Sequence, residues 1–379
     1  MRTTTKYAWI GIVLSVITLT FGVTARAVTF SQMTVFGDSL SDVGNISDAT
    51  FGITPGSGYF DGRFSNGPLY VEYLAEGLSL ATPTPSREGG RNYAHGGAWA
   101  GDQPDFFSDL VIQDLEEQVP NYLSGRTPAA DELFVVFAGS NDLIESTNNV
   151  GSAIASLDAE LNRLAEAGAR QFFVPNLPRL DLVPRSRGTS AEVPLRAAVA
   201  SFNVQLDAVL DDLESDYADA AVYRLDVATI FSDVFADPTA FGFTNVTDST
   251  QGLSGIDPAT YLFWDDLHPT TAGHELLADF ALDAILGTTS LVGDYNGNGE
   301  VDAADYTIWA DSFGSTLDLA ADGNGDGVVD AADYTIWADN FGNATPLNAD
   351  ALRIPEPTTL AICGLAGGLL ACRRFGIRA

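Results

Sequence analysis

The chain has three histidines, His95, His268 and His274, which limits where imidazole chemistry can sit. His268 belongs to "FWDDLHPT" (263–270), where Asp265 precedes it by three residues and Asp266 by two. A D-x-x-H spacing in one turn lets a carboxylate accept from one ring nitrogen and leaves the other free to act as a base. Such a base needs a nucleophile, and "FGDSLSD" (36–42) offers Ser39 at the end of an apolar run. Together Ser39, His268 and Asp265 could carry acyl transfer through a covalent acyl-enzyme. Alone, Gly37-Asp38-Ser39-Leu40 is ordinary turn chemistry, and a serine there serves equally well as a helix cap. An oxyanion also needs donors. The candidates are the Ser39 amide, aided by the dipole of a following helix, a glycine of "NYAHGGAWAG" (92–101), and the side-chain amide of Asn141 in "AGSND" (138–142). Gly96 and Gly97 are both eligible, and spacing does not choose between them. Asp266 reads as a solvated neighbour, His95 as loop surface and His274 as a packing residue of the next helix.

Something must hold these residues together. "MTVFGDS", "ELFVVFAGSND" (132–142), "RQFFVPNLP" (170–178) and "AAVYRLDV" (220–227) are short apolar runs that read as buried strands. Between them Val150, Ile154, Leu157, Leu161 and Leu164 keep helical spacing, stopped by Gly168. Leu195, Val199, Phe202, Leu206 and Leu210 do the same, with Ser190 as expected cap and Pro194 in the first turn. Alternating strands and helices predict a parallel α/β sheet with its site beyond the carboxyl ends of the strands. Ser39 and Asn141 both fall at such ends.

The blocks "VFGDSLSDVGN", "GRFSNG", "NYAHGGA", "FAGSND" and "FWDDLHPT" stand in the order and spacing of the GDSL, or SGNH, hydrolases. The chain resembles their lipase-like branch over roughly residues 30 to 290. That resemblance implies a flavodoxin-like three-layer α/β/α fold and hydrolysis of carboxylic esters. It implies Ser39 as nucleophile, His268 as base, Asp265 as its partner, and Ser39, Gly97 and Asn141 as the oxyanion hole. The expected substrate is an ester of a lipid or of an acylated glycan. A carbohydrate O-acetyl esterase and a non-catalytic cell-surface scaffold protein are the rival readings.

A second kind of chemistry follows. "GDYNGNGEVDAADYTIWADSFG" (293–314) recurs as "ADGNGDGVVDAADYTIWADNFG" (321–342), identical at 17 of 22 positions. Oxygen side chains fall at loop positions 1, 3, 5, 9 and 12: Asp294, Asn296, Asn298, Asp302 and Asp305, then Asp322, Asn324, Asp326, Asp330 and Asp333. Glu300 and Val328 stand at the carbonyl position, and Gly299 and Gly327 at the sharp turn. This is the ligand ladder of an EF-hand loop, with Asp replacing Glu at the last position. Each loop runs into a helix, and Ile308, Trp309, Phe313, Ile336, Trp337 and Phe341 are its expected apolar contacts. The repeats resemble type I dockerin repeats, which implies a small all-α domain, two calcium ions and a cohesin-like partner. Catalysis needs no cofactor.

The ends bear on location. "MRTTTKYAWIGIVLSVITLTFGVTARAVTF" has a basic start, an apolar run and Ala25-Arg26-Ala27, the pattern of a secretory signal peptide cleaved before Val28. An uncleaved anchor is the other reading. "RIPEPTTLAICGLAGGLLACRRFGIRA" resembles a PEP-CTERM sorting signal, which implies an exosortase-type processing enzyme and export to the surface or exterior of a bacterium. A plain C-terminal anchor is the alternative. The expected organisation is therefore signal peptide 1–27, hydrolase domain 28–290, repeats 291–346, and linker with sorting tail 347–379. Both cysteines, Cys363 and Cys372, lie in that tail, so the body has no internal disulfide. With 51 acidic against 18 basic residues and a formal charge of −33, a nucleic-acid partner is excluded by the field of the chain.

Overall fold

The computed structural model describes residues 29–103, 111–287, 293–296, 301–316, 319–324 and 327–343. The signal peptide, residues 288–292, Asn298, Gly299, Glu300, Asp326 and the sorting tail lie outside the described residues.

Four parallel strands form the main sheet in the order β1 (Gln32–Gly37), β2 (Glu132–Phe137), β3 (Gln171–Pro175), β4 (Ala221–Leu225). β1 and β2 pair in register from Gln32 with Glu132 to Gly37 with Phe137. Every residue of β2 is buried, which explains why it reads as a continuous apolar run without alternation. Residues 91–95 run along the free edge of β1: Val35 N–H donates to Arg91 O (3.0 Å), Tyr93 N–H to Val35 O (2.7 Å) and His95 N–H to Gly37 O (3.1 Å). This segment follows β1 in sequence and lies outside it in space. The chain therefore winds in opposite directions from β1, and a crevice opens beyond the carboxyl end of that strand.

Helices α1 (Asn45–Ala49), α2 (Tyr70–Gly77), α3 (Leu115–Gly125), α4 (Ser140–Glu145), α5 (Val150–Glu166), α6 (Glu192–Asp216), α7 (Val227–Ala236) and α8 (Thr271–Leu286) complete the α/β unit. α2 packs on α8, while α5 packs on both α3 and α6. The expected faces are the buried ones: Leu157, Leu161 and Leu164 of α5, and Leu195, Val199, Phe202, Leu206 and Leu210 of α6. The N-cap of α6 is Ala191 and not Ser190. Glu192 instead reaches back to accept from Gly188 N–H at 2.8 Å.

β5 (Asn245–Ser249) and β6 (Tyr261–Phe263) form a two-stranded parallel ribbon over a small core of Val183, Val234, Phe243, Val246, Leu262 and Phe263. That ribbon delivers the chain to Asp265. In the acidic repeats, α9 (Ala303–Ser312) and α10 (Ala331–Asn340) pack together. The indole N–H of Trp309 donates to Asp330 O and that of Trp337 to Asp302 O, both at 2.8 Å. The buried apolar side chains of the described residues there are Val301, Ala321 and Val329; Phe313 and Phe341 are exposed but make the expected contacts, with Trp309 at 5.1 Å and Trp337 at 5.2 Å between centroids. The two helices spend their aromatic face on each other's rings: Tyr306, Trp309, Tyr334 and Trp337 lie 5.0–6.4 Å apart between centroids.

Candidate active site

Ser39 stands two residues past β1, on a turn that only glycine can enter. Gly37 has φ 150, and a Cβ there would lie 2.2 Å from Phe137 O on the neighbouring strand. The side chain of Gln118 grips both polar groups of Gly37, accepting its N–H at 2.8 Å and donating to its carbonyl at 2.9 Å. Asp38 folds the turn back, its carboxylate accepting from Leu40 N–H and its carbonyl from Ser41 and Asp42 N–H, each at 3.0 Å. The expected helix does not start here. α1 begins at Asn45 because the Asp42 carboxylate caps it, accepting from Gly44, Asn45 and Ile46 N–H. A single turn, not a helix dipole, presents Ser39.

His268 reaches this serine from the far end of the domain. Its Nε2 lies 2.8 Å from Ser39 Oγ and its Nδ1 2.7 Å from Asp265 Oδ2. The D-x-x-H turn closes locally: Trp264 N–H donates to His268 O at 2.8 Å, and Asp265 Oδ1 accepts from Leu267 and His268 N–H at 2.7 and 2.6 Å. Burial alone would raise the Asp265 pKa, but the His268 ring and these amides outweigh it and hold the group to about 2. Asp265 is thus a fixed anion at the back of the ring. Asp266 instead points out and pairs with Arg185 at 2.8 Å.

Asp265 has a partner that sequence reasoning missed. Tyr59 O–H donates to Asp265 Oδ2 at 2.7 Å. Burial and the neighbouring carboxylate push the Tyr59 pKa to about 12, which keeps it a donor. The two residues are 206 positions apart, and nothing in the Gly-rich stretch around Tyr59 announces the contact.

The two candidate glycines differ in three dimensions. Gly96 N–H donates to Asp42 Oδ2 at 2.7 Å, so its amide is already engaged. Gly97, at φ 86, donates to no atom of the described residues. The loop that carries it is pinned by two buried acids: Asp114 accepts from Trp99 and Gln103 N–H, and Asp142 from Ala100 and Gly101 N–H. Asn141 Nδ2 donates one hydrogen to Ala98 O at 2.9 Å and keeps a second, at the rim of the same crevice. Ser39 and Asn141 line this crevice together, beyond the carboxyl ends of β1 and β2.

His95 is fully buried, contrary to the surface reading, with Nδ1 at 2.9 Å from Tyr93 O and Nε2 unpaired among the described residues. His274 is buried, stacks on Tyr70, and is pushed down to about 3 by burial, so it stays neutral. Neither faces Ser39 within hydrogen-bond reach.

A cleft of about 530 Å3 opens at Ser39, His268 and Asn141. Its walls beyond these polar groups are Leu180, Val183, Val227, Phe231, Leu267 and Leu277. A second, apolar hollow shares Val227, Phe231, Pro269 and Leu277 with the first and continues past Ile230, Val234 and Leu276.

Among known families the chain matches GDSL-like Lipase/Acylhydrolase over residues 33–281. The chain belongs to that family. It is 28% identical over 283 residues to the thermolabile hemolysin of Vibrio parahaemolyticus, covering 67% of this chain and 63% of that protein. To the phosphatidylcholine-sterol acyltransferase of Aeromonas hydrophila it is 26% identical, covering 72% and 95%. A GDSL esterase/lipase of Arabidopsis thaliana is 26% identical, covering 68% and 90%. Against the hemolysin and a Pseudomonas putida relative the chain spans only 63% and 48% of their lengths. An acetylxylan esterase structure from Geobacillus stearothermophilus aligns with TM-score 0.38 and 16% identity, covering 69% of this chain and 96% of that one.

In the acidic repeats, Asp305 accepts from Asn296 and Asp302 N–H, and Asp333 from Gly323, Asn324 and Asp330 N–H, so each loop curls around its last carboxylate. Asp322 Oδ2 accepts from Gly327 N–H at 2.8 Å, and Gly327 has φ 84. Both last-position carboxylates are fully buried in a segment without Lys or Arg, a setting that suits a bound cation. No group of three or more acidic, His or Cys side chains converges as a metal site among the described residues. No helix among them is long and apolar enough to cross a membrane.

Proposed function

We propose that this chain hydrolyses esters of aliphatic acids through an acyl-enzyme on Ser39. The observation that carries the reading is the continuous relay Asp265–His268–Ser39, at 2.7 and 2.8 Å. His268 Nε2 takes the Ser39 proton as Oγ bonds to the carbonyl carbon, and the carbonyl electron pair moves onto oxygen. The Ser39 and Gly97 amides and Asn141 Nδ2 receive that oxyanion. Collapse expels the alcohol, which leaves with the proton from His268. Water then gives a proton to His268 and adds its hydroxyl to the acyl carbon, releasing the acid and restoring Ser39.

The apolar walls of the cleft favour an aliphatic acyl group over acetyl, because they offer only buried area to the chain. A p-nitrophenyl ester series from acetate to decanoate, run beside acetylated xylan, tests this. We expect kcat/KM to rise with chain length. A maximum at acetate, with release of acetate from xylan, would establish the glycan deacetylase instead.

The same reading gives the repeats two calcium ions. One is held by Asp294, Asn296, Asn298, Asp302, Asp305 and the Glu300 carbonyl, the other by Asp322, Asn324, Asp326, Asp330, Asp333 and the Val328 carbonyl. Supporting it are the curled loops and their buried acids. A cohesin-like partner and processing of the tail by an exosortase-type enzyme belong to the same proposal, as does export of the chain, supported by the pattern of residues 1–27.

A further inference from the structure

Two loops beside the relay display large apolar side chains to solvent. On residues 49–60 Phe51 is 95% exposed, Ile53 78% and Phe60 43%; on residues 249–256 Leu253 is 56% and Ile256 40%. Scattered exposed apolar residues are ordinary, but five on two touching loops are a patch. The loops meet at Gly58, where a Cβ would lie 3.2 Å from the Gln251 amide.

The display is held in shape. Thr50 Oγ donates to Ile46 O at 2.7 Å and accepts from Thr54 N–H at 3.1 Å, while Gly52 N–H donates to Ser47 O at 2.7 Å. Phe51 sits at φ 54, a left-handed conformation that a bulky side chain disfavours. Both loops are tied to the acid of the relay. Tyr59 donates to Asp265 from the first, and Gln251 N–H donates to Trp264 O at 2.8 Å from the second.

Charge narrows the occupant. Residues 49–60 and 249–256 contain no side chain that is charged at neutral pH, although each is bounded by aspartates, at 48, 61, 248 and 257. In a chain of formal charge −33 they form a neutral apolar face. Such a face does not attract an anionic surface and suits an uncharged or zwitterionic one.

We propose that this two-loop patch seats the enzyme on a neutral or zwitterionic lipid–water interface, with Phe51 and Ile53 as the deepest anchors. The site then opens where an esterified acyl chain is presented. The surface assignment rests on the ester-hydrolase reading for its purpose, but not for its test, which measures binding without turnover.

The full chain carrying Ser39→Ala, so that lipid stays intact, is co-sedimented with phosphatidylcholine vesicles. The same chain carrying also Phe51→Asn and Ile53→Ser is compared. Asn accepts the left-handed backbone at 51, and both positions are solvent-exposed, so the fold is kept; the thermal midpoint checks it. We expect the double substitution to weaken partitioning at least about tenfold. With Ser39 restored, Phe51→Asn/Ile53→Ser should hydrolyse soluble p-nitrophenyl acetate at the wild-type rate and lose rate on vesicle-borne ester. Equal vesicle binding by the two chains overturns the proposal. So does a lipid-free dimer that the double substitution dissociates, which would assign the patch to a second copy. Absence of ester hydrolysis with vesicle binding intact would instead overturn the catalytic reading alone.

Discussion

Tyr59 donates to the same oxygen of Asp265 that accepts from the His268 ring, and both distances are 2.7 Å. The carboxylate thus divides one oxygen between a phenol that keeps its proton and an imidazole that gains one during reaction. Tyr59→Phe removes the phenol and leaves the anion less compensated where it faces the ring. The ring is then steered by a carboxylate that has lost one of its donors. We expect kcat to fall several-fold with KM nearly unchanged. A purely structural role for Tyr59 would lower stability without lowering kcat.

Ser39→Ala should cost several orders of magnitude in kcat with the fold intact, because the remaining donors cannot replace a nucleophile. Asp265→Ala should approach that loss. Asp266→Ala should cost little, since its carboxylate is out on the surface with Arg185. Steady-state kinetics on one soluble ester compares all three.

The oxyanion assignment predicts that Asn141→Ala lowers kcat about 10²–10³-fold, roughly 3–4 kcal/mol of transition-state stabilisation, with a small change in KM. An effect confined to KM would place Asn141 in substrate binding alone.

Asp38 carries a pH signature in stability. Burial raises its pKa from 3.8 to about 6 in the folded chain. The folded state therefore binds the proton more tightly than the unfolded one. That contribution is fully present below about pH 4 and is lost as pH rises through about 6. Asp38→Asn removes the buried charge, so it should stabilise the protein by about 2–3 kcal/mol at pH 8 and by little at pH 3.5. Urea unfolding at the two pH values gives the difference.

Calcium should control the repeats and not the ester chemistry. Titration of the full chain should show two ions bound, with a change in Trp309 and Trp337 emission, and chelation should melt α9 and α10. Hydrolysis should persist, since Ser39, His268, Asp265, Gly97 and Asn141 all lie before residue 288. Complete loss of activity on chelation would mean a metal serves the α/β unit.

The strands and the two long amphipathic helices were legible from apolar runs and helical spacing, and Asp265 beside His268 from a turn three residues long, whereas Ser39, 229 positions from His268, was legible only through the family's blocks. Other features depend on partners far along the chain. Gly97 is distinguished from Gly96 by Asp42, 54 positions away, which occupies the Gly96 amide. Tyr59 acts across 206 positions. The start of α1 was misplaced because Asp42, four residues before the helix core, captures its first amides. How deeply the apolar residues of the repeats are covered was not legible for a related reason. Helical spacing says which side chains share a face, but the facing repeat decides which of them it covers.

Trp309 completes its hydrogen bond on the second repeat, and Trp337 completes its own on the first. Each half is therefore the other's missing wall, as in a two-fold dimer written into one polypeptide. Cutting the chain between the halves removes both indole bonds together. The pair should melt in a single cooperative step, and a chain shortened to one repeat should lose the helix of the repeat it keeps.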